Sequence, residues 1–213
     1  MKTLYRTFVG ALGLVAVAVQ YWLVTHGEGG ALLPASSVRF FSFFTILTNL
    51  LAAVAMLAPV LAPQSGLGRF LDRPSVRTAI AGYIVIVGTV YYVLLSAIDK
   101  ATGLHLDLEY VLHYVIPPLF VLDWLLFVPK DEIGWRNGVD SLAYPFAYLG
   151  WTLGHGYATG WYPYPFIDVT KLGYGRMLLN SAGLMLAFLA LELLLVALGR
   201  LLKARRDNGA SAV

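Results

Sequence analysis

The chain contains no cysteine, and only 13% of its residues are charged. Without cysteine it can form neither a disulfide framework nor a thiolate-ligated metal site. Soluble domains usually have about 25% charged residues. With so few charges and 59% hydrophobic residues, the sequence predicts a membrane protein. Runs of basic residues interleaved with aromatic residues are also missing, which argues against nucleic acid as a partner.

Long apolar segments are abundant. A helix that crosses a bilayer needs roughly 20 mostly apolar residues. Six segments meet this length, at residues 4–25, 40–62, 76–98, 108–128, 139–159 and 177–202. The first is too long for the core of a signal peptide, so we expect it to be retained. We predict an all-α, six-helix transmembrane bundle that forms a single domain over residues 1–203, with a short polar cytoplasmic tail over residues 204–213.

The basic residues predict the orientation, because Lys and Arg concentrate in cytoplasmic loops. A cytoplasmic N-terminus places eleven of them inside, namely Lys2, Arg6, Arg69, Arg73, Arg77, Lys130, Arg136, Arg200, Lys203, Arg205 and Arg206. Four remain outside, namely Arg39, Lys100, Lys171 and Arg176. Both termini are therefore predicted to be cytoplasmic. The Ala-, Gly- and Leu-rich composition is typical of bacteria, which predicts an integral protein of a bacterial cytoplasmic membrane.

Polar side chains cluster near the predicted outer ends of the spans. Thr45 and His113 each lie about five residues from the outer end, or roughly 7 Å deep. Ser42, Thr45 and Asn49 follow helical i, i+3, i+7 spacing and share one face, with Thr48 beside it. Similar depths are predicted for Gln20, Tyr91, Tyr92, His155, Arg176 and Asn180. We expect these groups to line an outer-half cavity in which Thr45 faces His113.

A threonine hydroxyl beside an imidazole suggests nucleophilic catalysis. The hydroxyl needs a base to remove its proton, and histidine is the usual base. An oxyanion donor is also needed, and Asn49, Asn180, Arg176 or a tyrosine hydroxyl could supply it. Serine and threonine in membrane helices more commonly bond the i−4 carbonyl or join two helices. An intramembrane histidine is rarer and more often functional, which favours His113.

Other chemistry fits less well. Zinc in a catalytic site takes three protein ligands, and His113 and His155 supply only two. We therefore predict neither a metal nor a cofactor. Asp123 lies about 15 Å from His113 along the same span, too far to act in the outer cluster. It is expected either to pair with a basic group or to remain neutral.

Three stretches of the chain share a pattern with a known family. The first is Arg39 and Phe40 followed by Phe43-Phe44-Thr45. In the second, His113 is followed five positions later by Pro118 and ten positions later by Asp123. In the third, His155 is followed by Gly160, Trp161, Tyr164-Pro165-Phe166 and Arg176. In these stretches the chain resembles the androgen-induced membrane proteins, a family that includes the androgen-dependent TFPI-regulating protein.

The resemblance implies a six-helix threonine hydrolase that cleaves fatty acid esters of hydroxy fatty acids or similar lipid esters. It implies Thr45 as nucleophile and His113 as base. Ser42 or Thr48 could be aligned in place of Thr45, and Glu109 stands where the family has asparagine. The expected partners are an amphiphilic, lipid-like ester and membrane lipids. The alternative hypothesis is a non-enzymatic transporter or a lipid- or cofactor-binding bundle with the same polar cavity.

Overall fold

The protein is all-helical in a computed structural model that describes residues 1–26 and 33–210. Helices make up 84% of the described residues, and no strand occurs among them. The chain divides into two compact units, Met1–Glu132 and Ile133–Val213. The helical content confirms the all-α class that the sequence predicts.

The first unit holds seven of the helices. They are α1 (Lys2–His26), α2 (Leu33–Phe40), α3 (Phe44–Leu61), α4 (Gly66–Leu71), α5 (Pro74–Val90), α6 (Leu104–Tyr110) and α7 (Ile116–Phe127). A π-helical turn, Tyr91–Leu95, extends α5, and a second one, Val111–Val115, joins α6 to α7. The second unit holds α8 (Trp135–Asp140), α9 (Ala143–Thr159), a 3₁₀ turn (Pro165–Ile167) and α10 (Val169–Ala210).

Five helical segments among the described residues are long and apolar enough to cross a membrane. They are Lys2–His26, Phe44–Leu61, Pro74–Leu95, Leu104–Phe127 and Val169–Arg205. The segment predicted at residues 139–159 is broken into α8 and α9, and α9 has 17 residues. That is roughly 26 Å of helix, somewhat less than the ~30 Å hydrocarbon core of a bilayer. The described part of the chain thus has several apolar helices, five of which are long and apolar enough to cross a membrane.

Small residues let the helices of the first unit approach closely. A Cβ at Gly10 of α1 would lie 2.6 Å from Leu57 Cγ on α3. Within a membrane, helices associate largely through such close packing. Lipid tails are as apolar as the helix surfaces, so the hydrophobic effect does not drive the helices together. Replacement of Gly10 by a larger residue would therefore push α1 and α3 apart.

A buried ion network ties α1, α5 and α7 together. Asp123 is fully buried and accepts from Arg6 Nε at 2.7 Å and from Arg77 Nη2 at 2.5 Å. Arg6 also donates to the half-exposed Asp72 at 2.6 Å. The sequence predicts that Asp123 either pairs with a basic group or remains neutral, and the structure shows it paired with two arginines. Arg6 and Arg77, which we counted among the cytoplasmic loop charges, are committed to this network.

Packing in the second unit also relies on glycine. A Cβ at Gly138 of α8 would lie 2.9 Å from Leu193 Cδ2 of α10, so these helices meet closely. Gly156 of α9 faces the ring of Tyr162, where a Cβ would lie 2.1 Å from Cε1. α10 is kinked at Gly173, whose φ of 72° is accessible mainly to glycine.

Candidate functional site

Thr45 and His113 meet in the first unit. Thr45 is the second residue of α3, and His113 lies in the middle of the π-helical turn Val111–Val115. The Thr45 Oγ1 atom is 3.3 Å from His113 Nε2, which is hydrogen-bond distance. His113 is only 4% exposed, so its imidazole is shielded from solvent on nearly all sides. The structure therefore brings together the two residues that the sequence places at one depth.

The second nitrogen of the imidazole is held by Glu109. His113 Nδ1 lies 2.9 Å from the main-chain oxygen of Glu109 and 3.0 Å from its Oε2. Both of these oxygens are acceptors, so in the neutral imidazole Nδ1 carries the proton and Nε2 is left as the acceptor that faces Thr45. Gln20 Nε2, from α1, donates to Glu109 Oε1 at 3.0 Å. Hydroxyl, imidazole, carboxylate and amide thus form one chain across three helical segments.

Tyr91 covers one face of the imidazole. Its ring is stacked on that of His113, with centroids 3.8 Å apart and an interplanar angle of 16°. Its hydroxyl donates to Asp99 Oδ2 at 2.6 Å. Tyr91 therefore restrains the ring of His113, and its hydroxyl is committed elsewhere.

The local backbone around His113 follows from two prolines. Pro117 and Pro118 have no N–H, so the carbonyls of His113 and Tyr114 lose the donors that an α-helix would supply four residues later. The chain instead forms a wider turn, in which Ile116 N–H bonds the oxygen of Val111 five residues earlier. Such π-helical turns are frequent at functional sites.

Gly88 makes room for this turn. A Cβ at Gly88 would lie 2.7 Å from the main-chain oxygen of His113, so α5 approaches the histidine as closely as backbone permits. The same helix continues into the turn that carries Tyr91. The approach of α5 therefore sets the position of His113 and the stacking of Tyr91 together.

The predicted stripe of Ser42, Thr45 and Asn49 on one helix is wrong at its first member. Ser42 precedes α3, in the break between α2 and α3, and its hydroxyl donates to Val38 O at 2.7 Å. Because α2 ends at Phe40, Ser42 satisfies a carbonyl at that end instead of continuing the face of α3. Thr48 lies on α3 and is fully buried.

Asn49 has a different role from the expected oxyanion donor. Its Nδ2 donates to Thr45 O at 2.9 Å and to Leu112 O at 3.3 Å. These two carbonyls fix the orientation of the amide, since only its NH₂ can donate to them. The side chain joins α3 to the turn that carries His113 and keeps Thr45 and His113 in register.

The remaining predicted site residues belong to the second unit. His155 stacks on Trp151 with ring centroids 5.7 Å apart, and no described group hydrogen-bonds its Nδ1. Asn180 Nδ2 donates to Phe166 O at 2.8 Å, and Arg176 is exposed. Within its unit, Asn180 therefore anchors the 3₁₀ turn to α10.

Glu109 lies four residues before His113, the spacing at which two helical side chains meet, so the sequence alone places these two groups together. The contact between Gln20 and Glu109 was missed by sequence reasoning. Gln20 was placed at the right depth without a partner.

No group of three His, Asp or Glu side chains suited to a metal occurs in the described part of the chain. No protein-family model, curated protein or solved structure matches the chain.

Proposed function

We propose that the protein is an intramembrane hydrolase of lipid esters, with Thr45 as nucleophile and His113 as general base. The observation that supports this most directly is the 3.3 Å contact between Thr45 Oγ1 and His113 Nε2. The Nδ1 side of the same ring is anchored at Glu109, which leaves Nε2 able to accept the threonine proton. The resemblance to a family of threonine hydrolases points to the same pair.

The geometry supports the following reaction. His113 Nε2 takes the Thr45 proton as Oγ1 attacks the ester carbonyl, and the imidazolium then protonates the departing alkoxide. Water, activated by the same nitrogen, hydrolyses the acyl-threonine and restores the site. Thr45 lies in the first turn of α3, where the positive end of the helix dipole favours the negative charge that develops on the carbonyl oxygen.

The surroundings of the site favour an amphiphilic substrate. Tyr92, Tyr110 and Tyr114 are exposed on the segments that carry Tyr91 and His113. Exposed tyrosines are enriched where a membrane protein crosses the headgroup layer. An ester at that depth belongs to a lipid whose chains lie in the bilayer. A fatty acid ester of a hydroxy fatty acid is one such compound.

Labelling with a fluorophosphonate tests this function. The probe should react with the purified protein at Thr45, as located by mass spectrometry. Thr45→Ala and His113→Ala should lower the labelling rate and lipid-ester hydrolysis by about 10³-fold or more. Ser42→Ala and Thr48→Ala serve as matched controls that test the two alternative nucleophiles. Wild-type protein that neither labels nor hydrolyses any lipid ester would favour a transporter or lipid-binding bundle instead.

We further propose that α9 crosses the membrane as a sixth span and that both termini are cytoplasmic. Because the chain has no cysteine, single cysteines can be introduced into an otherwise unreactive background. In intact cells an impermeant maleimide should label Thr159→Cys, at the end of α9, but not Asp131→Cys or Gly66→Cys. All three should label after permeabilisation. Equal protection of Asp131→Cys and Thr159→Cys would leave five spans and place the C-terminus outside.

A further inference from the structure

We propose that Glu109, held by Gln20, is a positioning residue that completes a hydroxyl–imidazole–carboxylate triad with His113 and Thr45. The assignment of this triad rests on the proposed function. Three contacts support it: His113 Nδ1 to Glu109 Oε2 at 3.0 Å, His113 Nδ1 to Glu109 O at 2.9 Å, and Gln20 Nε2 to Glu109 Oε1 at 3.0 Å.

Glu109 presents two acceptors to His113 Nδ1, its main-chain oxygen and its carboxylate, and the two have different effects on the ring. The main-chain oxygen keeps the proton on Nδ1 whatever side chain stands at position 109. The carboxylate adds a negative charge beside the ring, and this charge stabilises the imidazolium that forms when Thr45 gives up its proton. Removal of the charge should therefore slow the chemical step while the tautomer of His113 is preserved. The expected loss is smaller than in a triad whose carboxylate is the sole acceptor.

Gln20 fixes the carboxylate. It is 6% exposed on α1, and its amide donates to the oxygen of Glu109 that does not face the imidazole. An ionised carboxylate can only accept, so the NH₂ group of Gln20 suits the charged form of Glu109. The side chain of Glu109 is 21% exposed, which limits the desolvation cost of that charge. Each carboxylate oxygen of Glu109 thus has its own partner, and rotation of the carboxylate away from His113 would break both contacts.

The test uses steady-state hydrolysis of a lipid ester by the purified full-length protein. Glu109→Gln keeps the shape of the side chain and should lower kcat about 10- to 100-fold with little change in KM, the pattern of an interaction made mainly in the transition state. Glu109→Asp should recover part of that loss. Gln20→Met should lower kcat by a few-fold. Asp107→Asn, an exposed carboxylate on the same helix, is the matched control and should behave as wild type.

The outcomes separate this proposal from the function on which it rests. An inactive wild-type protein means that the hydrolase itself fails. An active wild type with Glu109→Gln and Asp107→Asn equally fast would overturn the triad and leave the Thr45–His113 pair standing. A kcat loss in Glu109→Asp as large as in Glu109→Gln, with equal losses of melting temperature, would overturn it too, since a structural role alone predicts that pattern.

Discussion

Removal of the charge of Asp123 should destabilise the protein strongly. Its carboxylate accepts from Arg6 Nε at 2.7 Å, from Arg6 Nη2 at 3.2 Å and from Arg77 Nη2. Both guanidinium groups are at most 1% exposed. Asp123→Asn would leave two buried cations with the half-exposed Asp72 as their remaining anionic partner among the described residues. Breaking a buried ion pair in this way costs about 3–5 kcal/mol of unfolding free energy.

Thermal unfolding in detergent, followed by tryptophan fluorescence, measures this cost. For a chain of this size, 3–5 kcal/mol corresponds to a fall in Tm of roughly 6–20 °C. Asp72→Asn is the control, because Asp72 bonds the same Arg6 at 2.6 Å but is 42% exposed. We expect it to cost about 1 kcal/mol or less, since solvent screens it.

A double variant tests the assigned cause. Arg77→Met in the Asp123→Asn background removes one uncompensated cation, so it should recover part of the lost Tm. If Asp123→Asn melts within about 2 °C of wild type, or Asp72→Asn costs as much as Asp123→Asn, the charge argument is refuted.

Two further predictions concern close packing and pH. Gly88→Ala should lower fluorophosphonate labelling at least tenfold, because its Cβ would lie 2.7 Å from His113 O, a backbone atom that cannot rotate away. Gly13→Ala meets only side chains at 3.4 Å and beyond and should label normally; equal effects would contradict this. Burial lowers the pKa of Lys130 from 10.5 to about 8, against an opposing effect of Asp123. Between these values the unfolded chain binds the proton more tightly, so stability should gain from this residue as pH rises from about 8 to 10.5. Lys130→Met should lack that gain in Tm, and an identical pH slope in both proteins would show that the shift is wrong.

Much of the membrane character was predictable from the sequence. Long apolar segments can be recognised from the linear sequence alone. The depth of a residue in the membrane then follows from its distance along the helix to the helix end. For this reason the shared depth of Thr45 and His113 could be predicted, and the structure places their side chains 3.3 Å apart. The same argument separated Asp123 from the site, because about 15 Å of helix lies between them.

Contacts around the helix axes and breaks within helices were decided by tertiary structure. Apolar periodicity is weak where both lipid and protein interior are apolar, so the sequence does not specify which neighbour a polar side chain meets. Gln20 reaches Glu109, and Arg6 and Arg77 reach Asp123, only because the helices pack as they do. Ser42 lies outside the helix that carries Thr45, because the chain breaks between α2, which ends at Phe40, and α3, and the continuous apolar run conceals that break. Hydropathy determines the depth of each group, whereas close packing at positions such as Gly10 and Gly88 determines which groups meet at that depth.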